Sequence, residues 1–238
     1  MKRLIKLQVR TIFHNKLFYV CLALQLLTSP IITYIGSIAT KIQLETKVFP
    51  QIMSFMTNEL GIISTIFVAL FCSYDFNEGI AKNIVARGYS KTKLLLSKYI
   101  ASLIGLLTMY GITVLVIVAL FFKNGMGYEP QMLLQLIHSA FSIIAYTVIY
   151  GTIAFLLEKN GSVIITCLFA PNIITLILGL ADTNLHTNVS KYWIDNVAEK
   201  FTANPIIQNL TMPIIAYLIY IVATILITTQ ILKTKEVK

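Results

Sequence analysis

Charge is scarce in this 238-residue chain: Asp, Glu, Lys and Arg make up 12% of it, about half of the roughly 25% usual in a soluble domain. Long polar stretches are missing too. Once the apolar runs are set aside, no segment exceeds roughly 30 residues, which excludes a water-soluble domain of normal size. The three cysteines, Cys21, Cys72 and Cys167, all fall within apolar runs and show no CxxC spacing. That excludes a disulfide framework or zinc site and leaves them as small packing residues. No G-x-x-x-x-G-K-[ST] loop is present, so the chain carries no phosphate-binding loop of its own. His14, His138 and His186 are scattered, with no acidic partner close in sequence. With no GxSxG or HExxH pattern either, an intramembrane protease is excluded. The basic N-terminus leads into an apolar run too long for a signal-peptide core, and no small-residue cleavage site follows, so it reads as a retained first helix. Internal repeats and low-complexity segments are absent.

What the chain has is apolar length. Hydrophobic residues make up 57%, and six stretches reach the roughly 20 residues that a helix needs to cross a bilayer. They cover residues 17–38, 52–73, 99–122, 132–157, 163–180 and 213–232. The expected fold is therefore an all-α membrane protein with six transmembrane helices, a single transmembrane domain over 1–238.

The net charge of +9 is distributed unevenly. Of 19 Lys and Arg residues, 14 fall before the first span, between spans two and three, at Lys159, or in the tail. Five (Lys41, Lys47, Lys123, Lys191 and Lys200) fall on the other side. Cytoplasmic loops carry the excess of Lys and Arg, so both termini and the loop around Arg87 are expected in the cytoplasm, facing anionic headgroups. Nucleic acid is not an expected partner.

Residues 2–16, KRLIKLQVRTIFHNK, set Leu4, Ile5, Leu7, Val9, Ile12 and Phe13 among basic positions. An amphipathic helix lying in the interface fits this pattern, as does a simple basic flank. Thr28, Ser29 and Pro30 predict a kink in span one, and Pro171-Asn172 another in span five. Residues 39–51 form a short external loop, and Asn58 and Glu59 interrupt the start of span two. Buried in lipid, Glu59 would cost a few kcal/mol, so it should face a protein surface, a cleft or headgroups. Residues 123–130 mark a tight external turn and 158–161 an internal one. His138, in span four, fits a hydrogen bond to a neighbouring helix better than a proton relay. In the longest loop, 181–212, Tyr192, Trp193, Val197 and Phe201 can line one side of an external interfacial or re-entrant helix before span six.

The most informative segment is the cytoplasmic loop 75–98, DFNEGIAKNIVARGYSKTKLLLSK. Asp75 can cap a first helix, with Glu78 completing a capping box. Phe76, Ile80 and Ile84, flanked by Ala81 and Val85, form an apolar face. Lys82, Asn83 and Arg87 lie on polar sides. Gly88 supplies a left-handed stop, and Ser90 caps a second helix leading into span three. A short amphipathic helix across the ends of two spans suits a lever. A solvated basic loop is the plainer alternative.

The order Glu78-Gly79, Lys82, Gly88-x-Ser90-Lys91 and a downstream Lys98 resembles the cytoplasmic loop of ABC-2-type permeases, the membrane subunits of ATP-binding-cassette exporters. That pattern usually reads Glu-x-x-x-Gly-Thr, then Gly-x-Ser-Arg. Here Glu and Gly are adjacent and Lys91 replaces Arg. The resemblance covers about 25 residues in motif and the whole chain in layout. It implies a dimer of identical or related permeases above two separate ATPase subunits, which would bind the ATP and Mg. This chain would hold no cofactor or metal and perform no catalysis. Coupling would fall to Phe76, Glu78, Lys82, Asn83, Arg87, Tyr89 and Lys91, with Gly79 and Gly88 allowing the turn and close approach. The implied cargo is an amphipathic peptide or similar hydrophobic molecule, as in lantibiotic immunity or phenol-soluble modulin export, at a bacterial plasma membrane. A gradient-driven secondary transporter and a non-transporting membrane anchor are the rivals from other classes.

Overall fold

In the computed structural model the residues described are 1–40, 62–63, 65–76, 78–123, 130–203 and 205–234. Among these the regular structure is helical throughout. Helix α1 spans Lys2–His14 and α2 Lys16–Thr40. Helix α3 covers Thr65–Phe76 among the described residues. The short α4 is Ile80–Ala86, followed by α5 at Lys91–Lys123, α6 at Pro130–Leu157 and α7 at Asn160–Leu185. A single turn at Ser190–Tyr192 precedes α8, Ile194–Ala203, and α9 covers Ile207–Thr234.

Four of these helices, α5, α6, α7 and α9, are long and apolar enough to cross a membrane, with apolar stretches of 26 to 29 residues. At 1.5 Å per residue each reaches about 40 Å, beyond the roughly 30 Å hydrocarbon core. The chain is a membrane-embedded protein, helical among the described residues. These four contain the predicted spans 99–122, 132–157, 163–180 and 213–232, and each extends further than the apolar run alone. The predicted span 17–38 lies within α2. Of 52–73, residues 62–63 and 65–73 are described as helix. Asn58, Glu59, loop 41–51 and turn residues 124–129 lie outside the described residues.

The extensions have local causes. Helix α5 begins eight residues before the predicted span because Ser90 Oγ accepts the Lys93 N–H at 3.3 Å. Leu94 and Leu95, next in line, are fully buried. Helix α7 continues through Pro171. The proline leaves the Cys167 carbonyl without its backbone donor, and Asn172 Nδ2 bonds the Leu168 carbonyl at 3.2 Å instead of a distant group.

Helix α1 is amphipathic, as predicted, and its inner stripe meets protein. Leu4, Gln8 and Ile12, four residues apart, are buried against α3 and α5. A Cβ placed on Gly105 of α5 would lie 3.2 Å from Ile12 and 3.3 Å from Phe67. Glycine here lets α1 and α3 approach α5 closely. Leu7, on the opposite side, stays exposed.

Deeper in the bundle, Tyr99 Oη of α5 bonds Thr152 Oγ1 of α6 at 2.5 Å, and Thr152 bonds Thr228 Oγ1 of α9 at 3.0 Å. This chain of hydroxyls ties three long helices together and satisfies polar groups that a bilayer cannot hydrate. Tyr99 reaches Thr152 across Gly151, where a Cβ would sit only 2.5 Å from its ring.

Helix α8 packs beside the middles of α6 and α9, not at their ends. Ile194 is buried with Ala145 and Tyr217. Phe201 stacks on His138 at 4.6 Å between ring centroids, and His138 Nε2 bonds Tyr217 Oη at 2.8 Å. His138 thus has the inter-helical partner expected of it. Trp193, Val197 and Phe201 face inward as the spacing predicts. Tyr192 does not: it is exposed, because it ends the preceding turn instead of joining α8, and Ile194 takes the inner position.

Candidate coupling surface and its buried support

Loop 75–98 folds into two helical pieces that part at Gly88, as the sequence suggests, but the first piece begins later than expected. Asp75 does not cap the lever helix. It remains in the last turn of α3, nearly buried, with Oδ2 2.9 Å from Lys98 Nζ and 3.0 Å from Gln8 Nε2. The physical reason is Lys98. Its side chain is 1% exposed, and an isolated buried ammonium is far too costly to keep without a counter-charge. Lys98 Nζ also donates to the Phe71 carbonyl at 3.0 Å and lies 3.9 Å from the centre of the Phe71 ring. Lys98 is therefore a structural core group and contributes nothing to the basic surface of the loop. The pair joins α1, α3 and α5 through side chains from all three.

With Asp75 engaged, Glu78 has no capping partner and is exposed. Helix α4 starts without a side-chain cap, after Gly79 at φ +66°. The Gly79 N–H closes back on the Phe76 carbonyl at 3.2 Å, so the expected continuous helix over 76–87 is interrupted. The lever is the seven-residue α4 alone.

Its C-terminal end follows the expectation closely. Gly88 has φ +86°, its N–H bonds the Val85 carbonyl at 2.9 Å, and the Tyr89 N–H bonds the Ile84 carbonyl at 3.4 Å. These are the two bonds of a Schellman stop, and the partly buried Tyr89 packs on the cluster that contains Ile84. A Cβ at either Gly79 or Gly88 would meet nothing within 4 Å. Both glycines serve the sign of φ. Close approach within the chain is not their role.

The two faces of α4 separate cleanly. Ala81 and Ile84 are buried and Ile80 is partly so, fixing the helix to the bundle. Lys82, Asn83 and Arg87 are exposed, and with Glu78 they form a polar surface at the end of the bundle. Phe76 lies on the inner side, edge-on to Phe155 of α6 at 5.0 Å. Tyr89 is on the inner side as well, and Lys91 is half-buried at the start of α5. Ser73 Oγ bonds Asn160 Oδ1 at 2.6 Å, joining α3 to the start of α7. Helix α4 itself packs against α5, while α3, just before it in the chain, touches α6 through Phe76 and α7 through Ser73.

Sequence reasoning missed the Asp75–Lys98–Gln8 group, although one signal was available. Lys98 interrupts the apolar run Leu94–Leu95–Leu96 before Tyr99, and a cation so placed requires an anion nearby. It also missed Asp195, which falls in the segment 181–212 read as a loop. Asp195 accepts hydrogen bonds from Tyr146 Oη and, at 2.9 Å, from Trp193 Nε1, beside the middle of α6. Among the described residues no group of His, Cys, Asp and Glu is arranged to hold a metal ion.

Comparison with protein-family models, curated proteins and solved structures gives no match.

Proposed function

We propose that this chain is the permease subunit of an ATP-binding-cassette exporter, moving amphipathic peptides or similar hydrophobic cargo. One observation supports this above the others: α4 presents Lys82, Asn83 and Arg87 outward while Ala81 and Ile84 bind it to the bundle. A partner pressing on that polar face pushes on a helix whose inner face is already fixed to the spans. In this reading six spans, cytoplasmic termini and a second permease copy complete the membrane unit. Two separate ATPase subunits bind ATP and Mg beneath it.

The test is co-purification of the full chain with the product of the adjacent open reading frame, where recovery of an ATPase with a phosphate-binding loop is the expected result. Arg87→Glu and Lys82→Glu should abolish recovery of the ATPase and leave the permease folded. Undiminished recovery in both variants would remove α4 from the coupling role.

One observation favours a gradient-driven transporter as the second reading. Asp195 sits beside the middles of two long helices among Tyr146, Trp193 and Tyr220, a place where carboxylates often serve ion coupling. Cargo movement in sealed vesicles without nucleotide, driven by a proton gradient and lost in Asp195→Asn, would favour it.

A further inference from the structure

We propose that a basic cleft between α1, the start of α2 and the end of α3 binds one anionic phospholipid, with the phosphate in the cleft and the acyl chains along α2. The cleft encloses about 610 Å³ and is lined by Arg10, His14 and Lys16 together with Leu7, Thr11 and Tyr74, a volume within the ordinary range of ligand sites. Among the described residues no carboxylate lines it. The nearest acidic side chain in sequence, Asp75, is turned inward to Lys98. The Arg10 and Lys16 side chains therefore line the cleft, with His14 beside them, and no described carboxylate shares it.

The backbone adds to that potential. Asn15 Oδ1 accepts the Leu17 N–H at 2.9 Å and so caps α2, whose N-terminus opens at the cleft with its positive dipole end. His14 Nδ1 bonds the Arg10 carbonyl at 2.9 Å, which fixes the ring and leaves Nε2 as its remaining polar atom.

A free anion would need only these charges. The apolar features beside them point to a lipid. Leu7 lines the cleft and is 55% exposed. From Lys16, the face of α2 continues through Val20, Leu24, Leu27 and Ile31, all of them at least 50% exposed. Steps of four, four, three and four residues keep one helical face. That stripe begins at the cleft and runs along the apolar helix α2, as acyl chains below a bound headgroup would. Basic pockets of this kind beside membrane helices suit anionic headgroups.

The test is native mass spectrometry of the delipidated full chain in neutral detergent. Phosphatidylglycerol and phosphatidylcholine are titrated separately, and inorganic phosphate is added in excess as competitor. Wild type should retain phosphatidylglycerol preferentially and resist displacement by phosphate. Arg10→Gln/Lys16→Gln should lose roughly 30-fold in that preference, the share expected of two surface cations. Lys93→Gln/Lys200→Gln, which removes exposed cations elsewhere, should lose none. Unchanged melting of both variants verifies folding. Preference that survives the first double substitution, equal loss in the second, or displacement by phosphate alone would overturn the proposal.

Discussion

Lys98 and Asp75, 23 residues apart in sequence, form a 2.9 Å ion pair whose side chains are 1% and 5% exposed. The pair sits where α1, α3 and α5 meet. Each ion has lost its water, and Gln8 and the Phe71 carbonyl supply the replacement hydrogen bonds. Such a pair is retained only while both members are present.

Removing one member should therefore be worse than removing both. Lys98→Met or Asp75→Ala alone should lower stability by about 3–5 kcal/mol, because the remaining charge is buried without a partner. The combination Asp75→Leu/Lys98→Met should recover most of the loss. Thermal melting of the four proteins in one detergent gives the comparison. Additive losses would show that the two charges do not depend on each other.

Gly151 faces the Tyr99 ring. A methyl group there would lie 2.5 Å from a ring carbon, too close to be absorbed without moving helix α5 or α6. Gly151→Ala should cost about 1–3 kcal/mol, the usual range for overpacking. Adding Tyr99→Leu should relieve much of it by removing the ring, at the expense of the bond to Thr152. Melting temperatures of the single and double variants would show whether the steric account holds.

The stop at Gly88 rests on backbone sign alone, since space around it is open. Gly88→Ala should cost about 1–2 kcal/mol, and Gly88→Asn less, because Asn tolerates the left-handed region. Hydrogen exchange of the Arg87 and Tyr89 amides, both bonded within the stop, should accelerate in the alanine variant. Equal protection in all three proteins would count against the argument.

Arg87 and Lys82 are exposed, so charge reversal at either should change stability by no more than about 0.5 kcal/mol. That makes loss of ATPase binding in these variants interpretable as loss of contact. A large drop in melting temperature would instead mean that their side chains support the fold.

Trp193, the single tryptophan, donates its indole N–H to Asp195, which also accepts from Tyr146. Asp195→Ala should release the indole and loosen α8 from α6 and α9. The expected result is a red shift of tryptophan emission and increased quenching by iodide. Unaltered emission would mean that buried apolar contacts, such as Ile194 on Ala145 and Tyr217, hold α8 without the carboxylate.

Several parts of this protein could be read from contiguous residues. The long apolar helices, the amphipathic α1, the Ser90 cap and the Gly88 stop depend on periodicity or on side chains within a few positions of the backbone they serve. The separation of Lys82, Asn83 and Arg87 from Ala81 and Ile84 is of the same kind, because the helical period fixes it. Asp75 was harder, since Asp-x-x-Glu is a sound capping box and its local chemistry is satisfied either way. Asp195 was harder still, because an apolar count assigns residues 181–212 to a loop and says nothing of how deeply that loop folds back.

The sequence by itself determined that long stretches of this chain must leave water and that a short polar-faced helix ends at Gly88 between two of them. Those properties follow from transfer free energies and local turn geometry, which need no distant partner. Only the tertiary structure decided that Asp75 pairs with Lys98, that Tyr99 crosses Gly151, and that Asp195 reaches the middle of α6. Each of these depends on which helices become neighbours, and in a uniformly apolar chain many arrangements bury similar area, so the few polar and close-packed contacts select among them.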